Sequence, residues 1–242
     1  VKKGNTKSVF HLLKKSGVSK PIYHITPFTL LDYPDKTACI IWFAGCNMRC
    51  KYCYNIDIVK GKGHFRYEDV LPFIESRKNL LDGVVLSGGE CTMHADVIPF
   101  VEDIKKRNML VKVDTNGSNP KVLEKLLSAN LVDYVALDFK ALTKNFYHVT
   151  QSDLFTKFEK SLNILLSASI PFEVRTTFHS TLLELDELMS MVHYLGNKKY
   201  KGIYYIQHFL NHCETLGDVG NDYRRVRVED LKSDLVHVVV RN

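Results

Sequence analysis

From Cys39 onward the chain repeats one pattern, a short apolar run followed by an amphipathic stretch, and this alternation restricts the fold more than any other feature. The first run, Cys39 to Phe43, reads as a buried strand. A helical stretch at Tyr67 to Arg77 then precedes a strand at Gly83 to Leu86, and one at His94 to Arg107 precedes Leu110 to Asp114. Helices at Pro120 to Ala129, Asp153 to Ser167 and Leu185 to Leu195 precede strands at Tyr134 to Asp138, Phe172 to Thr177 and Ile203 to Ile206. Strands separated by helices pair in parallel through right-handed crossovers. Six such repeats do not close an eight-unit barrel, so the expected fold is α/β, a partial, open (β/α)6 barrel with parallel strands. Before Cys39, the segment ITPFTLLDYPDK reads as an irregular entry broken by Pro27 and Pro34.

A chain of 242 residues suits one such domain. The expected division is a basic arm over residues 1–24, the barrel over 25–217 and a tail over 218–242 that packs on it. The net charge of +6 suggests nucleic acid until it is located. Lys2, Lys3, Lys7, Lys14, Lys15 and Lys20 carry the whole excess, in a segment without Asp or Glu that reads as a solvated extension, partly helical around Val9 to Lys15. The body is neutral, and neither nucleic acid nor a membrane is an expected partner. No apolar run approaches the ~18 residues of a membrane span. The opening segment lacks the apolar core of a signal peptide, and half of the six cysteines crowd into residues 46–53. Both features point to a reducing, cytoplasmic setting.

Those three thiols, in AGCNMRCKYCYN, follow the first strand and therefore lie at its carboxyl end, where α/β folds place their chemistry. Cys46, Cys50 and Cys53 suit three irons of a cubane cluster, with the fourth iron left open to a small molecule. Two alternatives remain at this point: a zinc site completed by a histidine such as His64, and a cluster completed by Cys91 or Cys213. Polar motifs follow the later strands at the same end. They are SGGE (Ser87 to Glu90), DTNG (Asp114 to Gly117), LDFK (Leu137 to Lys140), Arg175 and IQHF (Ile206 to Phe209).

The C-x3-C-x2-C spacing with Tyr52 before the last cysteine resembles the cluster loop of radical S-adenosylmethionine (SAM) enzymes. The resemblance implies a [4Fe-4S] cluster whose open iron chelates the amino and carboxylate groups of SAM, and whose electron cleaves SAM to a 5′-deoxyadenosyl radical. Within that superfamily, ITPFTLLDYPDKTACIIWFAGCNMRCKYCYN is similar to the activating enzymes of glycyl radical proteins, in particular those of anaerobic ribonucleoside-triphosphate reductase. Carried over by motif, it implies cofactor contacts at Tyr52, Gly88, Gly89, Glu90, Asp114, Thr115, Asn116, Asp138 and Lys140. Tyr54, next to the last thiol, and Arg175, Gln207 and His208, polar groups at the ends of the last strands suited to the cofactor's carboxylate, ribose or adenine, complete the expected contacts. The resemblance also implies a monovalent cation held by Asp114, Thr115 and Asp138. Two positions depart from the family pattern: Tyr54 stands where His is usual, and Cys91 where Pro is usual. Cys91 is expected to be a small buried filler.

The implied activity is reductive cleavage of SAM and installation of a glycyl radical on a large partner enzyme, with electrons from a low-potential donor such as flavodoxin or ferredoxin. The competing expectations are a radical enzyme acting on a peptide or a small heterocycle, and a zinc-stabilised nucleic-acid-binding module.

Overall fold

The computed structural model of the chain describes residues 20–231 and 233–241; the stretch Val9 to Lys15 lies outside the described residues. Eight strands form one sheet in chain order. They are β1 (Ile22–Thr29), β2 (Ala38–Phe43), β3 (Gly83–Gly88), β4 (Leu110–Thr115), β5 (Tyr134–Asp138), β6 (Phe172–Phe178), β7 (Ile203–His208) and β8 (His237–Arg241). From β2 to β8 every neighbouring pair is parallel, and only β1 runs antiparallel to its neighbour. Among the described residues β1 and β8 do not pair with each other, so the barrel is open, and the six expected parallel strands are all present.

Among the described residues seven α-helices connect the strands: α1 (Ile56–Lys60), α2 (Tyr67–Arg77), α3 (Val97–Lys105), α4 (Pro120–Ser128), α5 (Thr143–Thr150), α6 (Phe155–Ser167) and α7 (Leu185–Asn197). Three return turns use a left-handed residue just after the helix: Asn108 after α3, Asn130 after α4 and Lys199 after α7. Asparagine tolerates this conformation because its short side chain bonds locally. The chain is thereby reversed within a few residues, and each strand starts in register beside the last.

Two strands lie outside the expected set. β1 takes in Ile22 to His24, expected in the arm, and the start of the irregular entry up to Thr29, while residues 30–36 stay irregular; its Pro27 is tolerated because an edge strand has a row of N–H groups that need no partner. Its register with β2 slips between Ile22 and His24 and again between Thr26 and Thr29, which erases the alternation a sequence reading needs. β8, in the tail, extends the sheet beside β7. Helix α3 begins at Val97 and not at His94, because a bend and turn over residues 94–96 separate it from a 3-10 turn at Cys91–Met93, and α1 and α5 are additional.

The period of two along a strand assigns its faces. In β4, Val111 and Val113 join the large core under the helices, while Lys112 and Asp114 point to the other face. Val135, Leu137 and Val174 likewise face the helices, and Asp138, Glu173 and Arg175 share the inner face with Lys112 and Asp114. At one end of that inner face Tyr33, Ala38, Ile40 and Val85 form a small apolar plug. Beyond the plug the interior carries a charged cluster, in which Asp114 and Asp138 lie at the carboxyl ends of β4 and β5 while Lys112 and Glu173 lie deeper in their strands.

Candidate active site

Phe43 ends β2, and the cysteine loop begins immediately with Gly45 at φ 82. The loop lacks regular structure over its thiols, so its backbone groups must find partners elsewhere. Three separate parts of the chain supply them. Arg49 N and Lys51 N donate to Thr150 O and Val149 O at the end of α5, each at 2.9 Å. Gly45 N donates to Ile58 O in α1 at 2.8 Å. From the segment after β7, Leu216 N and Gly217 N donate to Cys53 O and Lys51 O, again at 2.9 Å.

The loop turns Cys46, Cys50 and Cys53 into a cavity of about 280 Å³. Cys91 and Cys213 do not line it: Cys91 is buried as a filler, its thiol directed at Asp114 O, and Cys213 lies in the segment after β7. Burial pushes the Cys46 thiol up to about 11 and the Cys50 thiol up to about 12, so their ionisation is coupled to metal binding. Two donors already face sulfur: Met48 N lies 3.5 Å and Asn116 Nδ2 lies 3.8 Å from Cys46 Sγ. Asn116 also donates to Asn47 Oδ1 at 3.0 Å, and Asn47 Nδ2 to Ser118 Oγ at 2.7 Å, which ties the loop to the end of β4. His64 stands against the ring of Tyr23, with centroids 5.0 Å apart.

The glycines after β3 answer to steric demand from the cysteine loop. A side chain at Gly89 would place Cβ 1.7 Å from Gly45 O, and Gly88 has φ 110 with Phe43 N 2.6 Å from its virtual Cβ. Glu90 departs from its expected place. It is fully buried and absent from the cavity wall, accepting hydrogen bonds from Thr92 N and Oγ1, Thr115 Oγ1 and Asn116 N. His208 also departs: it lines an outer groove and accepts from Val226 N at 3.1 Å. Tyr52, Tyr54, Gly88, Gly89, Asp114, Thr115, Asn116, Asp138, Lys140, Arg175 and Gln207 all line the cavity with the thiols.

Its charged wall is a connected network. Lys140 Nζ donates to Asp138 Oδ2 at 3.1 Å, and Arg175 Nε to Asp138 Oδ1 at 3.1 Å. Lys112 Nζ donates to Asp114 Oδ1, and Ser87 Oγ to Asp114 Oδ2 at 3.0 Å. Burial opposes ionisation of Asp114, but Arg175 and Lys112 outweigh it and hold the carboxyl below its usual range. Asp138 is held low in the same way by Lys140 and Arg175. Lys112, 2% exposed, escapes a motif-based reading; its spacing of two from Asp114 on one strand is the signal that places it on the same face.

Over residues 40–206 the sequence matches the radical SAM superfamily. The chain belongs to that superfamily. A protein of Methanocaldococcus jannaschii named as a glycyl-radical enzyme activating enzyme is 30% identical over 171 residues, which are 68% of this chain and 70% of the relative. The pyruvate formate-lyase 1-activating enzyme of Escherichia coli (strain K12) is 33% identical over 116 residues, covering 43% of this chain and 45% of that enzyme. Among solved structures, Streptococcus suis SuiB bound to S-adenosylmethionine aligns with a TM-score of 0.60 and 12% identity. The alignment covers 84% of this chain and 52% of SuiB, so the chain spans about half the length of that structure, and the likeness concerns the fold.

Radical SAM membership brings a [4Fe-4S] cluster and SAM, and removes the zinc module from consideration. The residues present fit both groups. Cys46, Cys50 and Cys53 are free thiols on one cavity, and among the described residues no three Cys, His, Asp or Glu groups are gathered as ligands of a single ion. A cubane differs from a single ion in placing each ligand on its own iron. On the same wall the Tyr52 hydroxyl is buried beside Lys140 and makes no well-aligned hydrogen bond among the described residues, so it keeps capacity for a polar ligand. The monovalent cation does not fit. Thr115 Oγ1 donates to Glu90 and accepts from Gly117 N, and both aspartates are already paired with protein cations.

Proposed function

We propose that this chain installs a glycyl radical on a large partner enzyme, and that the partner is an anaerobic ribonucleoside-triphosphate reductase. One observation carries the reading: the cavity holding the thiols shares Tyr54, Thr177 and Gln207 with a surface groove of about 720 Å³. Leu210, His212 and Tyr223 are among the other residues of that groove, whose size suits a polypeptide loop. A buried metabolite site has no need of such a mouth; a backbone glycine delivered by a partner does. The activating-enzyme names of the relatives and the likeness of the segment from Ile25 to Asn55 support the same class.

In this reading Cys46, Cys50 and Cys53 hold the cluster, and Asn116 donates toward the Cys46 sulfur. Gly88, Gly89, Lys140, Asp138 and Arg175 receive the polar end of SAM, while Tyr54 and Gln207 stand where the cavity meets the groove. When bound, the cluster and SAM supply a one-electron reductive cleavage and abstraction of hydrogen from carbon. The chain's own residues keep the site dry and polar: Tyr52 and Met48 close it from the loop, and the charged wall orients the ligand. A low-potential one-electron protein such as flavodoxin or ferredoxin provides the electron.

The test is anaerobic. The reconstituted, reduced protein is mixed with SAM and the reductase, and electron paramagnetic resonance is expected to detect a glycyl radical doublet that requires all three components. SAM cleavage without a doublet on any glycyl radical protein would refute the proposal and turn attention to a peptide or heterocycle substrate.

A further inference from the structure

Asp114 and Asp138 are the two carboxylates that resemblance assigns to a free monovalent cation, and in this structure an arginine stands between them. Arg175 Nη2 lies 3.0 Å from Asp138 Oδ1 and 3.6 Å from Asp114 Oδ2, and Nε lies 3.1 Å from the same Asp138 oxygen. One guanidinium thus bridges both acids. Their other oxygens are engaged as well, Asp114 Oδ1 by Lys112 and Asp138 Oδ2 by Lys140.

The arginine is fixed by the sheet itself. Arg175 is the register partner of Asp138 in the β5–β6 ladder, and its carbonyl accepts Phe139 N at 2.7 Å. Behind it Glu173 Oε1 lies 3.9 Å from Nη1, so the side chain is held on a third side. These six groups balance: Lys112, Lys140 and Arg175 against Asp114, Asp138 and Glu173. A further cation would find no net negative charge among these six groups, whose members are 2% to 25% exposed. Desolvating an unmatched charge there is costly. Arginine never deprotonates at physiological pH and offers a planar fork to two carboxylates, which a spherical ion exchanging with solvent cannot match.

We infer that Arg175 is a tethered cation that takes the place of a free monovalent ion between Asp114 and Asp138, so that SAM binding by this chain does not depend on sodium or potassium. The inference rests on the assignment of SAM to this cavity. Its consequence is a specific salt response. A free ion that shared the site with SAM would be linked to it thermodynamically, and removing the ion would weaken SAM by the coupling factor.

The experiment uses the cluster-loaded protein in potassium, sodium or choline chloride at equal ionic strength. SAM affinity by equilibrium dialysis is expected to agree within about twofold across the three salts, whereas a coupled ion site would weaken it about tenfold or more in choline. The second outcome would overturn the inference. Sodium-23 line broadening on the same protein tests the ion site without SAM or turnover: no saturable broadening is expected, and saturable broadening by the wild-type chain would also overturn it. Arg175→Gln is expected to gain saturable broadening and a potassium-dependent SAM affinity. A folded Arg175→Gln protein that binds SAM equally in all three salts would count against the inference. If that variant does not fold, the two wild-type measurements decide. A chain that binds SAM in none of the salts would instead refute the cofactor assignment, while the sodium measurement still judges the role of Arg175.

Discussion

Glu90 Oε2 accepts the backbone N–H of Asn116 at 2.7 Å, so this carboxylate fastens the end of β3 to the end of β4. Its other oxygen takes Thr115 Oγ1 at 2.8 Å and the N–H and hydroxyl of Thr92. The residue that resemblance places against the cofactor thus acts behind it, positioning Thr115 and Asn116. Glu90→Gln keeps the shape but turns one acceptor into a donor facing donors. The expected cost is about 1–3 kcal/mol of stability, read as a lower midpoint in thermal or urea unfolding. A variant as stable as the wild type would show that these bonds contribute nothing net.

Asn116 reaches both Asn47 and the Cys46 sulfur. Hydrogen bonds to cluster sulfurs favour the reduced state by offsetting its extra negative charge. Asn116→Ala should therefore keep its iron and lower the cluster potential, as followed by a redox titration monitored by electron paramagnetic resonance. An unchanged potential would remove Asn116 from the cluster's surroundings.

Gly89 tolerates no side chain, because an added Cβ would sit 1.7 Å from Gly45 O. Gly89→Ala must displace the start of the cysteine loop. Overpacking of this kind costs about 1–3 kcal/mol or more, and the expected signature is a folded barrel with reduced iron uptake. Circular dichroism and iron content separate those two effects.

The thiols divide three against three. Alanine at Cys46, Cys50 or Cys53 is expected to abolish cluster uptake, while Cys39, Cys91 and Cys213 lie off the cavity. Cys91→Ala should retain both iron and the brown colour, and loss of iron from it would reopen a role for Cys91 as a ligand.

Asp222 tests a pH response away from the cluster. It accepts from Ser180 N, from Ser180 Oγ at 2.9 Å and from Arg224 N at 3.0 Å, pinning the segment after β7 to the end of β6. Burial alone would raise its carboxyl, but these donors outweigh burial and hold it below the ordinary value of 3.8. A depressed carboxylate stabilises the fold fully above its unfolded pKa, and the contribution is lost as pH falls through the folded one. Hydrogen-exchange protection factors of the 209–223 segment, corrected for the intrinsic pH dependence of exchange, should therefore fall below about pH 4. Asp222→Asn should show the lower protection already at neutral pH.

The parallel strands were legible because their helix-facing sides are fully apolar, which makes runs such as Val84 to Leu86 and Val135 to Leu137 stand out. β1 was not, since an edge strand carrying Pro27 and two register slips has no periodic signature. In the site, residue type and spacing located the cysteines, Asp114, Asp138 and Arg175 at one end of the sheet. Orientation was beyond their reach: Glu90 and His208 occupy strand-end positions in the sequence, yet their side chains turn into the protein or toward the outer groove. Lys112 lay hidden because a lone lysine inside an apolar strand carries no motif.

Lys51 sits between Cys50 and Cys53 and is bonded on both edges, its N–H to Val149 O and its carbonyl to Gly217 N. The cysteine loop is therefore the middle layer of a joint whose outer layers come from the centre and the last third of the chain. During synthesis the thiols emerge early, but the contacts that shape their loop arrive only with Leu216 and Gly217. Until then the carbonyls of Lys51 and Cys53 are left to water, and the thiol loop is completed by a part of the protein that places no thiol on the cavity.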